Sequence, residues 1–515
     1  MREKPPEAMP RRGCFPRIDF LAVNLALFAA AAVAARILWL DRLPGVNGDE
    51  TWYGLWVLRC VHDSVCPAHT PSGNLINPFY MVLVAAAQAF SPPSVLALRL
   101  PAVLCGIGFV AAGYVILRPV LGRQPAAIFA ILAAALPVDI VYSRFGWDAA
   151  ETGIATILAL GFALRGRMVM SFAALLVAFL VHPTNVLLLP LLCVLLLRRM
   201  LEPLVRRKGP GWAATALFAA VVAAILLVLA VKTILGNHLS ALQWVSGTPT
   251  TAFLRIGYWQ LFFLSLGDLF SGATVYNFLV RDLPLSGVLA NIVTWSMAGL
   301  ALSALVWRSL RASWSIEMAL FSGLLLVIFV YGILAGPSGL QPGFERYGLV
   351  LIAPILAIVA AGLGVIFGRD GRRGIWLAAL IGWLGLASIG LDYFVPLLRT
   401  GGRTADPASV AAVDPKQQAA GILAGWGDGN KWVVASDDLW IRTPLIYFLY
   451  FDKFATVIDV TEGSPLPEAD FAATFAGSTL DRTLAASAVP DAIIRDISGR
   501  PVIDLWRFGH PPAGN

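Results

Sequence analysis

The pattern of hydrophobic and polar positions along the chain consists of long apolar stretches separated by short polar or charged connections. Stretches of about 17–25 apolar residues, the length that spans a bilayer, recur over most of the chain. The pattern predicts eleven membrane-spanning helices, and we therefore expect an all-α polytopic membrane protein up to residue 392. Their approximate limits are 18–40, 98–118, 124–142, 148–164, 168–181, 184–197, 211–232, 285–307, 316–335, 348–367 and 374–392.

The composition changes after Asp392, and residues 403–515 are polar. Three short segments in this part are typical of buried strands, and the stretch Leu439–Phe451, between the first two, is typical of a helix. The strand segments are 432–436, 455–460 and 491–495. Strand, helix and strand in this order predict a small α/β domain. We therefore divide the chain into a membrane domain, 1–392, and a C-terminal domain, 393–515.

Composition and charge agree with a membrane location. Hydrophobic residues make up 58% of the chain and charged residues 13%, whereas soluble domains average roughly 25% charged residues. The net charge of +7 does not form one basic patch, which argues against a nucleic-acid partner. The Lys and Arg residues lie between the apolar segments, where they mark the cytoplasmic side of a membrane protein.

This charge distribution predicts a topology. The N-terminus should be cytoplasmic, with the first span retained as a signal anchor. The outward connections should be 41–97, 143–147, 182–184, 233–284 and 336–347. The protein should lie in the cell inner membrane, with its C-terminal domain in the periplasm. The stretch 168–197 has two interpretations, one long helix or two short spans broken at His182-Pro183. Basic residues flank both of its ends, which favours the two short spans.

Two stretches should lie in the membrane interface rather than cross it. Ile76–Phe90 barely reaches span length, and counting it as a span would place Arg118 and Arg123 outside. The aromatic residues in 258–263 indicate a second interfacial helix within the loop 233–284. The first and fourth outer loops should therefore each contain an interfacial helix.

The acidic pair Asp49-Glu50 is the strongest candidate for chemistry. It follows the first span, and carboxylates beside a bilayer are costly unless water, a cation or a substrate solvates them. Gly48 permits a tight turn before the pair, and Trp52 and Tyr53 suit an amphipathic helix at headgroup depth. Asp49 could instead serve only as a helix cap, but capping does not account for the second carboxylate.

Two further clusters combine cations, aromatic rings and carboxylates at the outer ends of spans. One includes Arg144 and Asp148, and the other includes Arg346 and Tyr347. Arginine can bind a phosphate through two parallel hydrogen bonds, and a tyrosine hydroxyl can donate to a phosphate or sugar oxygen. Each cluster taken alone could equally be an interfacial anchor with a local ion pair. Their common depth favours one shared site.

Further residues of the outer loops are candidates for acceptor or donor contacts, namely Tyr53, Tyr80, His182 and His238. A lone histidine is more often a hydrogen-bonded helix-end residue than a base. Cys60 and Cys66 lie in one outward loop and could form a disulfide in an oxidising compartment. The chain has no nucleotide-binding loop and no Cys/His zinc spacing, although carboxylates alone could hold a divalent cation.

These motifs, in this order, resemble the polyprenyl-phosphate-dependent glycosyltransferases of the GT-C superfamily. The acidic pair is followed by an interfacial Pro-Phe-Tyr helix, and Ala97-Leu-Arg-Leu-Pro101 then opens a span. Arg144 to Asp148 and the Glu-Arg-Tyr of 345–347 complete the order. The closest likeness is to the branch of bacterial aminoarabinose transferases and protein O-mannosyltransferases.

The resemblance implies an inverting transfer of a sugar from a polyprenyl-phosphate donor to a lipid, glycan or protein acceptor on the periplasmic side. Asp49 would be the general base, with Glu50 or Asp148 orienting it or the acceptor. The donor phosphate would be held by Arg346, Tyr347 and Arg144. Aminoarabinose transferases carry an acidic-basic pair before the interfacial proline, where this chain has Leu75-Ile-Asn-Pro78, so a phosphate-binding lysine is missing there.

The alternative function is that of a secondary transporter or flippase for a polar or lipid-linked substrate. Transporters keep ionisable groups near the bilayer midplane and are often built from two similar halves. Here the acidic residues cluster at the outer ends of the predicted spans, which favours glycosyl transfer.

Overall fold

A computed structural model describes residues 19–404 and 412–508, except 72, 74, 92, 209–251, 281–284, 312–314, 369–370, 428 and 461–467. The described chain is mainly helical, with one small sheet near the C-terminus. The α-helices up to residue 399 are α1 (Phe20–Ile37), α2 (Gly48–His62), α3 (Pro78–Ala89), α4 (Val95–Leu121), α5 (Arg123–Ala134), α6 (Pro137–Tyr142), α7 (Thr152–Leu164), α8 (Met168–Val181), α9 (Leu189–Lys208), α10 (Ile256–Ser271), α11 (Ala273–Leu279), α12 (Leu285–Arg311), α13 (Ile316–Leu334), α14 (Ile352–Phe367), α15 (Gly371–Ser388) and α16 (Val395–Arg399).

Within the described residues, six helical segments are long and apolar enough to cross a membrane. They are Phe20–Ile37, Val95–Leu121, Pro183–Pro203, Ile316–Leu334, Glu345–Phe367 and Gly371–Arg399. Four shorter apolar helices accompany them, at Pro78–Ala89, Arg123–Ala134, Met168–Val181 and Asn291–Trp307. The chain is thus a multi-pass membrane protein, as predicted. The count of eleven spans stays a prediction, and the expected span 211–232 lies outside the described residues.

Proline explains where predicted spans are interrupted. The expected span 124–142 divides into α5 and α6, because Pro137 has no N–H for a continuing helix and begins a new one. At the predicted break, α8 ends at Val181 and His182 has an extended backbone, with φ −156° and ψ 135°. A residue before proline favours this extended conformation.

The membrane helices pack closely around a continuous apolar core. Helices α4 and α5 meet at Gly113, where a Cβ would lie 2.0 Å from the Phe129 ring. The same ring packs edge-on against Phe109, with centroids 5.6 Å apart. A small residue at a helix contact lets two membrane helices approach each other.

The two expected interfacial helices differ in their packing. The first outer loop forms α2 and α3, as helices too short to be candidate spans. In the fourth outer loop, α10 packs one face onto α13, while Leu261 and Leu264 on its other face are exposed. Trp259 stacks on Phe329 with centroids 5.6 Å apart, and Phe262 is fully buried.

The C-terminal domain is a small α/β unit, as predicted. Its helices are α17 (Val413–Trp426), α18 (Leu439–Phe448) and α19 (Thr479–Ala485), and its strands are β1 (Trp432–Ser436), β2 (Ala455–Asp459), β3 (Phe471–Phe475), β4 (Ala492–Arg495) and β5 (Pro501–Arg507). The strand order is β2-β1-β3-β5-β4, with β2, β1 and β3 parallel and β5 antiparallel to both β3 and β4.

This domain packs directly on the first outer loop. The backbone N–H of Gly45 donates to the carbonyl of Gly402 at 2.7 Å. The Tyr447 hydroxyl on α18 lies 3.0 Å from the backbone nitrogen of Ser94, ahead of α4. The fold therefore places the C-terminal domain against the turn that carries the acidic pair.

Candidate active site

Asp49 lies in the first turn of α2, and its local geometry follows from the residues before it. Asn47 caps the helix and forms a capping box with Glu50: the Asn47 side chain accepts from the Glu50 N–H at 2.9 Å, and the Glu50 carboxylate accepts from the Asn47 N–H at 3.2 Å. A Cβ at Gly48 would lie 3.2 Å from the Leu439 carbonyl oxygen. Gly48 thus lets α18 approach this turn, while Asp49 stays half-buried.

Glu50, which was grouped with the catalytic residues as orienting Asp49 or the acceptor, lies inside the protein. Glu50 is 0% exposed, and its oxygens accept from Arg99 Nε at 2.8 Å and Nη2 at 3.0 Å. It also accepts from the Gly146 N–H at 2.8 Å. A substrate cannot reach a carboxylate that is enclosed and bonded in this way. The structure therefore contradicts a contact between Glu50 and the acceptor and leaves Glu50 as a support of the turn that carries Asp49.

Arg99 is a functional residue to which the sequence analysis gave no role. Besides Glu50, it donates to the carbonyls of Leu40 at 3.0 Å, Pro44 at 2.9 Å and Gly45 at 3.1 Å. A single arginine at the start of a long apolar helix was the available signal, since such a charge needs a partner. Arg99 fixes the backbone that leads from α1 to the acidic turn.

Arg144 also departs from its prediction as a phosphate ligand. It is fully buried and donates to the carbonyls of Ala35 at 2.9 Å, Leu38 at 2.8 Å and Leu43 at 2.8 Å. Its guanidinium lies over the Phe394 ring, 4.8 Å from the centroid. Carbonyls in the last turn of α1 and just after it thus occupy both terminal nitrogens of Arg144. Its Nε, like that of Arg346, has no partner among the described residues, but the side chain is 0% exposed and a phosphate cannot reach it, so we assign Arg144 a structural role.

Arg346 has the opposite environment. It is half-buried, and its Nη2 lies 3.4 Å from the Tyr347 hydroxyl. Its guanidinium lies 5.6 Å from the Trp147 ring centroid. Among the described residues its buried Nε has no hydrogen-bond partner, and such an orphaned buried donor calls for an explanation. An anionic ligand would satisfy it.

Asp49 and Arg346 interact electrostatically, although almost 300 residues separate them in sequence. Burial raises the pKa of Asp49, the positive charge of Arg346 lowers it, and the nearby Glu50 raises it. An opposite charge within about 4–6 Å is the usual source of such coupling. The structure therefore brings together an acid and a cation that sequence analysis placed in one site.

Asp148 occupies the same neighbourhood with two tyrosines. It lies half-buried in a 3-10 turn, Asp148–Glu151, that precedes α7. The Tyr53 hydroxyl hydrogen-bonds to its carboxylate, and burial raises the pKa of Asp148 to about 7. The Tyr80 ring packs edge-on against Tyr53 at 5.7 Å. The Tyr80 hydroxyl is fully buried and has no partner within the described part of the chain.

Glu151, at the end of this 3-10 turn, was also missed. Its carboxylate accepts from the Asn77 side-chain amide at 2.6 Å, and Asn77 in turn caps α3. Burial raises the pKa of Glu151 to about 7. The pair joins the turn carrying Asp148 to the helix carrying Tyr80. No spacing in the sequence relates two residues 74 positions apart.

His182 lies beside the Arg346 cluster. Its ring centroid is 4.9 Å from that of Tyr347, and its Nδ1 lies 2.7 Å from the Thr184 hydroxyl oxygen. Burial, together with the Arg346 charge, lowers the pKa of His182 to about 3. The ring is therefore neutral near pH 7. The other candidate histidine, His238, lies outside the described residues.

The remaining predictions concern a metal and a disulfide. Over the residues that the structure covers, no group of three or more His, Cys, Asp and Glu side chains is arranged to hold a metal ion. Cys60 and Cys66 form the predicted disulfide, with Cα atoms 4.7 Å apart, and it closes the loop after α2.

No protein-family model and no curated protein sequence matches the chain. Among solved structures, ArnT from Cupriavidus metallidurans bound to undecaprenyl phosphate matches with a TM-score of 0.52 and 16% identity, covering 93% of this chain and 97% of that chain. ArnT from the same organism in the apo state has a TM-score of 0.38 at 16% identity, covering 94% of this chain and 98% of that one. The Archaeoglobus fulgidus oligosaccharyltransferase in complex with zinc and sulfate has a TM-score of 0.47 at 15% identity, covering 93% and 73%.

Proposed function

We propose that this chain is a membrane glycosyltransferase. Its fold, which matches that of the undecaprenyl-phosphate-bound ArnT structure, supports the proposal. The chain takes a sugar from a polyprenyl-phosphate-linked donor and transfers it to a lipid, glycan or protein acceptor at the periplasmic face of the cell inner membrane.

One observation carries this proposal: a half-buried acid, Asp49, lies in electrostatic contact with a half-buried cation, Arg346, that has an unused donor. A structural ion pair would satisfy both groups. Here the cation retains a donor for an anion, its charge acts on the acid, and both side chains are partly exposed. The pair suits a reaction in which a negatively charged group departs while a neutral hydroxyl loses a proton.

The donor phosphate is assigned to Arg346 and Tyr347. Arg346 offers its Nε and the rest of its guanidinium fork, and guanidinium matches a phosphate in geometry as well as in charge. The Tyr347 hydroxyl lies within 3.4 Å of the same group. Glu345, which is 2% exposed and contacts the Tyr142 hydroxyl, fixes the backbone just before Arg346. The solved ArnT structure with undecaprenyl phosphate supports a ligand of this chemistry.

Asp49 is the proposed general base. Its carboxylate takes the proton of the acceptor hydroxyl as that oxygen attacks the anomeric carbon of the sugar. The bond between this carbon and the phosphate oxygen breaks, and its electron pair stays on the polyprenyl phosphate. Attack opposite to the leaving group inverts the anomeric centre. Arg346 and Tyr347 stabilise the charge on the leaving phosphate, which is the largest catalytic contribution in many enzymes.

The neighbouring polar groups would orient the substrates. Asp148 and Tyr53 form a hydrogen-bonded unit beside Asp49, and the unpartnered Tyr80 hydroxyl would donate to a sugar or acceptor oxygen. The neutral His182 would contact the donor, because its ring lies next to that of Tyr347. An enclosed cluster of this kind gives directional hydrogen bonds that strengthen in a dry site.

The test compares Asp49→Asn with Asp63→Asn. Both residues belong to the same helix region, but Asp63 is exposed at the end of α2. The donor is obtained by extracting the lipid-linked sugar that accumulates in cells lacking the protein. We expect Asp49→Asn to lower the transfer rate by about 10²–10⁴-fold, as loss of a general base does, and Asp63→Asn to leave it unchanged.

Equal folded yields of the two variants in detergent are the control. Full activity of Asp49→Asn would exclude the general-base role. Substrate flux across vesicles without any lipid-linked donor would instead favour the transporter alternative.

A further inference from the structure

The backbone that leads to Asp49 is held by buried cations from three separate parts of the molecule. Four consecutive carbonyls, those of residues 43–46, each accept a hydrogen bond from one of them. Arg144 donates to Leu43 at 2.8 Å, Arg99 donates to Pro44 at 2.9 Å and to Gly45 at 3.1 Å, and Lys416 donates to Val46 at 2.6 Å. The last carbonyl of this series lies three residues before Asp49.

Lys416 differs from the other two cations because it comes from the C-terminal domain. It lies in the first turn of α17, and it is 0% exposed. Burial lowers the pKa of Lys416 to about 7, while the charges of Glu50 and Asp438 raise it and that of Arg99 lowers it. A buried lysine is rare and costly unless it is paired. Its Nζ donates to the Val46 carbonyl, in the membrane domain.

Two further contacts bring the same domain onto the same turn. The Gly402 carbonyl accepts from the Gly45 N–H at 2.7 Å. Gly402 has a φ of +92°, and a Cβ there would lie 2.5 Å from the Arg42 carbonyl oxygen, so only glycine fits this approach. On the other side, the Trp440 ring of α18 lies 3.2 Å from the Cβ position of Gly48.

We propose that Lys416 is a positioning residue of the active site: by holding the Val46 carbonyl, the C-terminal domain sets the position of Asp49 relative to the acceptor hydroxyl. This inference rests on the proposed glycosyl transfer. Without Lys416, the Val46 carbonyl is left buried without its donor, and the turn can shift. A misplacement of about 1 Å at a reacting group can lower a rate by about 10²-fold.

Loss of Lys416 should affect the chemical step at Asp49 differently from the binding of the donor. Lys416 acts on the turn with Asp49 and not on the segment with Arg346 and Tyr347. Its loss should therefore change the chemical step and leave donor binding intact. A general weakening of the fold would not produce this pattern.

The kinetic test uses the full chain with Lys416→Met, and Lys431→Met as the matched control. Lys431 is an exposed lysine of the same domain, just before β1. We expect kcat to fall by about 10–100-fold in Lys416→Met, with KM for the extracted lipid-linked sugar within twofold of the unmodified protein. Lys431→Met should match the unmodified protein in both constants. An unchanged kcat, or a rise in KM alone, would overturn the proposal.

Hydrogen exchange measured by mass spectrometry tests the contact without any activity. Peptides covering residues 43–50 should exchange at least about tenfold faster in Lys416→Met, and peptides from β1 and β5 should not change. Unchanged exchange over 43–50 would refute the proposed contact. If the unmodified protein transfers no sugar, the proposed function fails, while this measurement still decides what Lys416 does to the turn.

A second variant covers the case in which Lys416→Met loosens the whole C-terminal sheet. In Lys416→Gln the side-chain amide can still donate toward the Val46 carbonyl. A kcat that recovers part of the way to the unmodified value supports positioning through this bond. A kcat no higher than that of Lys416→Met contradicts it.

Discussion

Two layers of the candidate active site carry the same kinds of charged group in different environments. The support layer (Glu50, Arg99, Arg144) is fully buried, and its charges are bonded to one another or to backbone carbonyls. The open face (Asp49, Asp148, Arg346) is half-buried. There, the charge of Arg346 acts on Asp49. Arg144 and Arg346 each have an Nε without a partner among the described residues, but only the Arg346 side chain is partly exposed.

The difference shows how much an adjacent pair of residues can diverge. Asp49 and Glu50 are neighbours on one helical turn, yet one faces the open side and the other closes an ion pair inside the protein. Charge alone therefore does not identify a catalytic residue at a membrane surface. The number of partners that the fold already supplies separates a supporting group from one available to a substrate.

The largest effect should come from breaking the support layer with Glu50→Gln. This change leaves Arg99 buried without its counter-charge, and removing one partner of a buried ion pair typically costs about 3–5 kcal/mol of stability. Thermal unfolding in detergent measures it. Glu468→Gln, an exposed change in the C-terminal domain, should stay within about 0.5 kcal/mol of the unmodified protein. Equal unfolding midpoints for the two variants would show that the buried ion pair of Glu50 and Arg99 does not stabilise the fold, contrary to the role given to the support layer.

A smaller effect, and one on activity and not on folding, should follow Arg346→Met. Hydrogen bonds to a charged group contribute about 1.5–3 kcal/mol, so kcat/KM for the lipid-linked donor should fall by roughly 10–150-fold. The unfolding midpoint should change little.

Arg507→Met is the matched control for Arg346→Met. Arg507 also lies over an aromatic ring, that of Trp426 at 4.3 Å, but it belongs to β5 in the C-terminal domain. We expect normal kinetics for this variant. A stability loss in Arg346→Met as large as that of Glu50→Gln would show that Arg346 belongs to the support layer.

The smallest effect is a change in pH dependence for Tyr53→Phe. The Tyr53 hydroxyl favours the ionised form of Asp148, whose pKa burial raises to about 7. Loss of this hydrogen bond should raise that pKa by about one unit further. The ionised Asp148 carboxylate is the form proposed to orient the substrates, so activity should begin to fall at a higher pH in Tyr53→Phe than in the unmodified protein. The acidic limb of the kcat/KM profile should therefore move upward.

Tyr450→Phe provides the comparison for this profile. The Tyr450 hydroxyl also donates to a carboxylate, that of Asp63 at 3.0 Å, but at an exposed position. Its profile should overlay that of the unmodified protein. Two superimposable profiles for Tyr53→Phe and the unmodified protein would mean that Asp148 does not control the reaction.

The sequence alone predicted a membrane protein and a C-terminal α/β domain, and it named as candidates the three residues of the open face. Apolar length and charge placement depend on local composition, so they can be read from the chain directly. The strands β3 and β5 were missed. The segment Phe471–Phe475 is buried throughout, and such a short apolar run cannot be distinguished from helix by periodicity.

The roles of the cations could not be read in the same way. Arg144 and Arg346 both lie near aromatic residues at the outer ends of predicted spans, and no local feature separates them. Only the fold shows that the carbonyls at the end of α1 occupy Arg144. Likewise Asp139, in the same region as Arg144, pairs with Arg36 at 2.6 Å and not with Arg144. Such partners arise from helix packing, which one sequence does not reveal.

The hydrogen bond between Lys416 and Val46 joins residues 370 positions apart, which has a consequence for how the protein is made. The ribosome synthesises the acidic turn early and Lys416 last among its supports. A nascent chain that has already inserted its helices still lacks the donor that completes this turn. Full activity in the proposed transfer should thus begin only after translation has passed Lys416, and a shorter chain should be slowed at least as much as Lys416→Met, by about 10–100-fold.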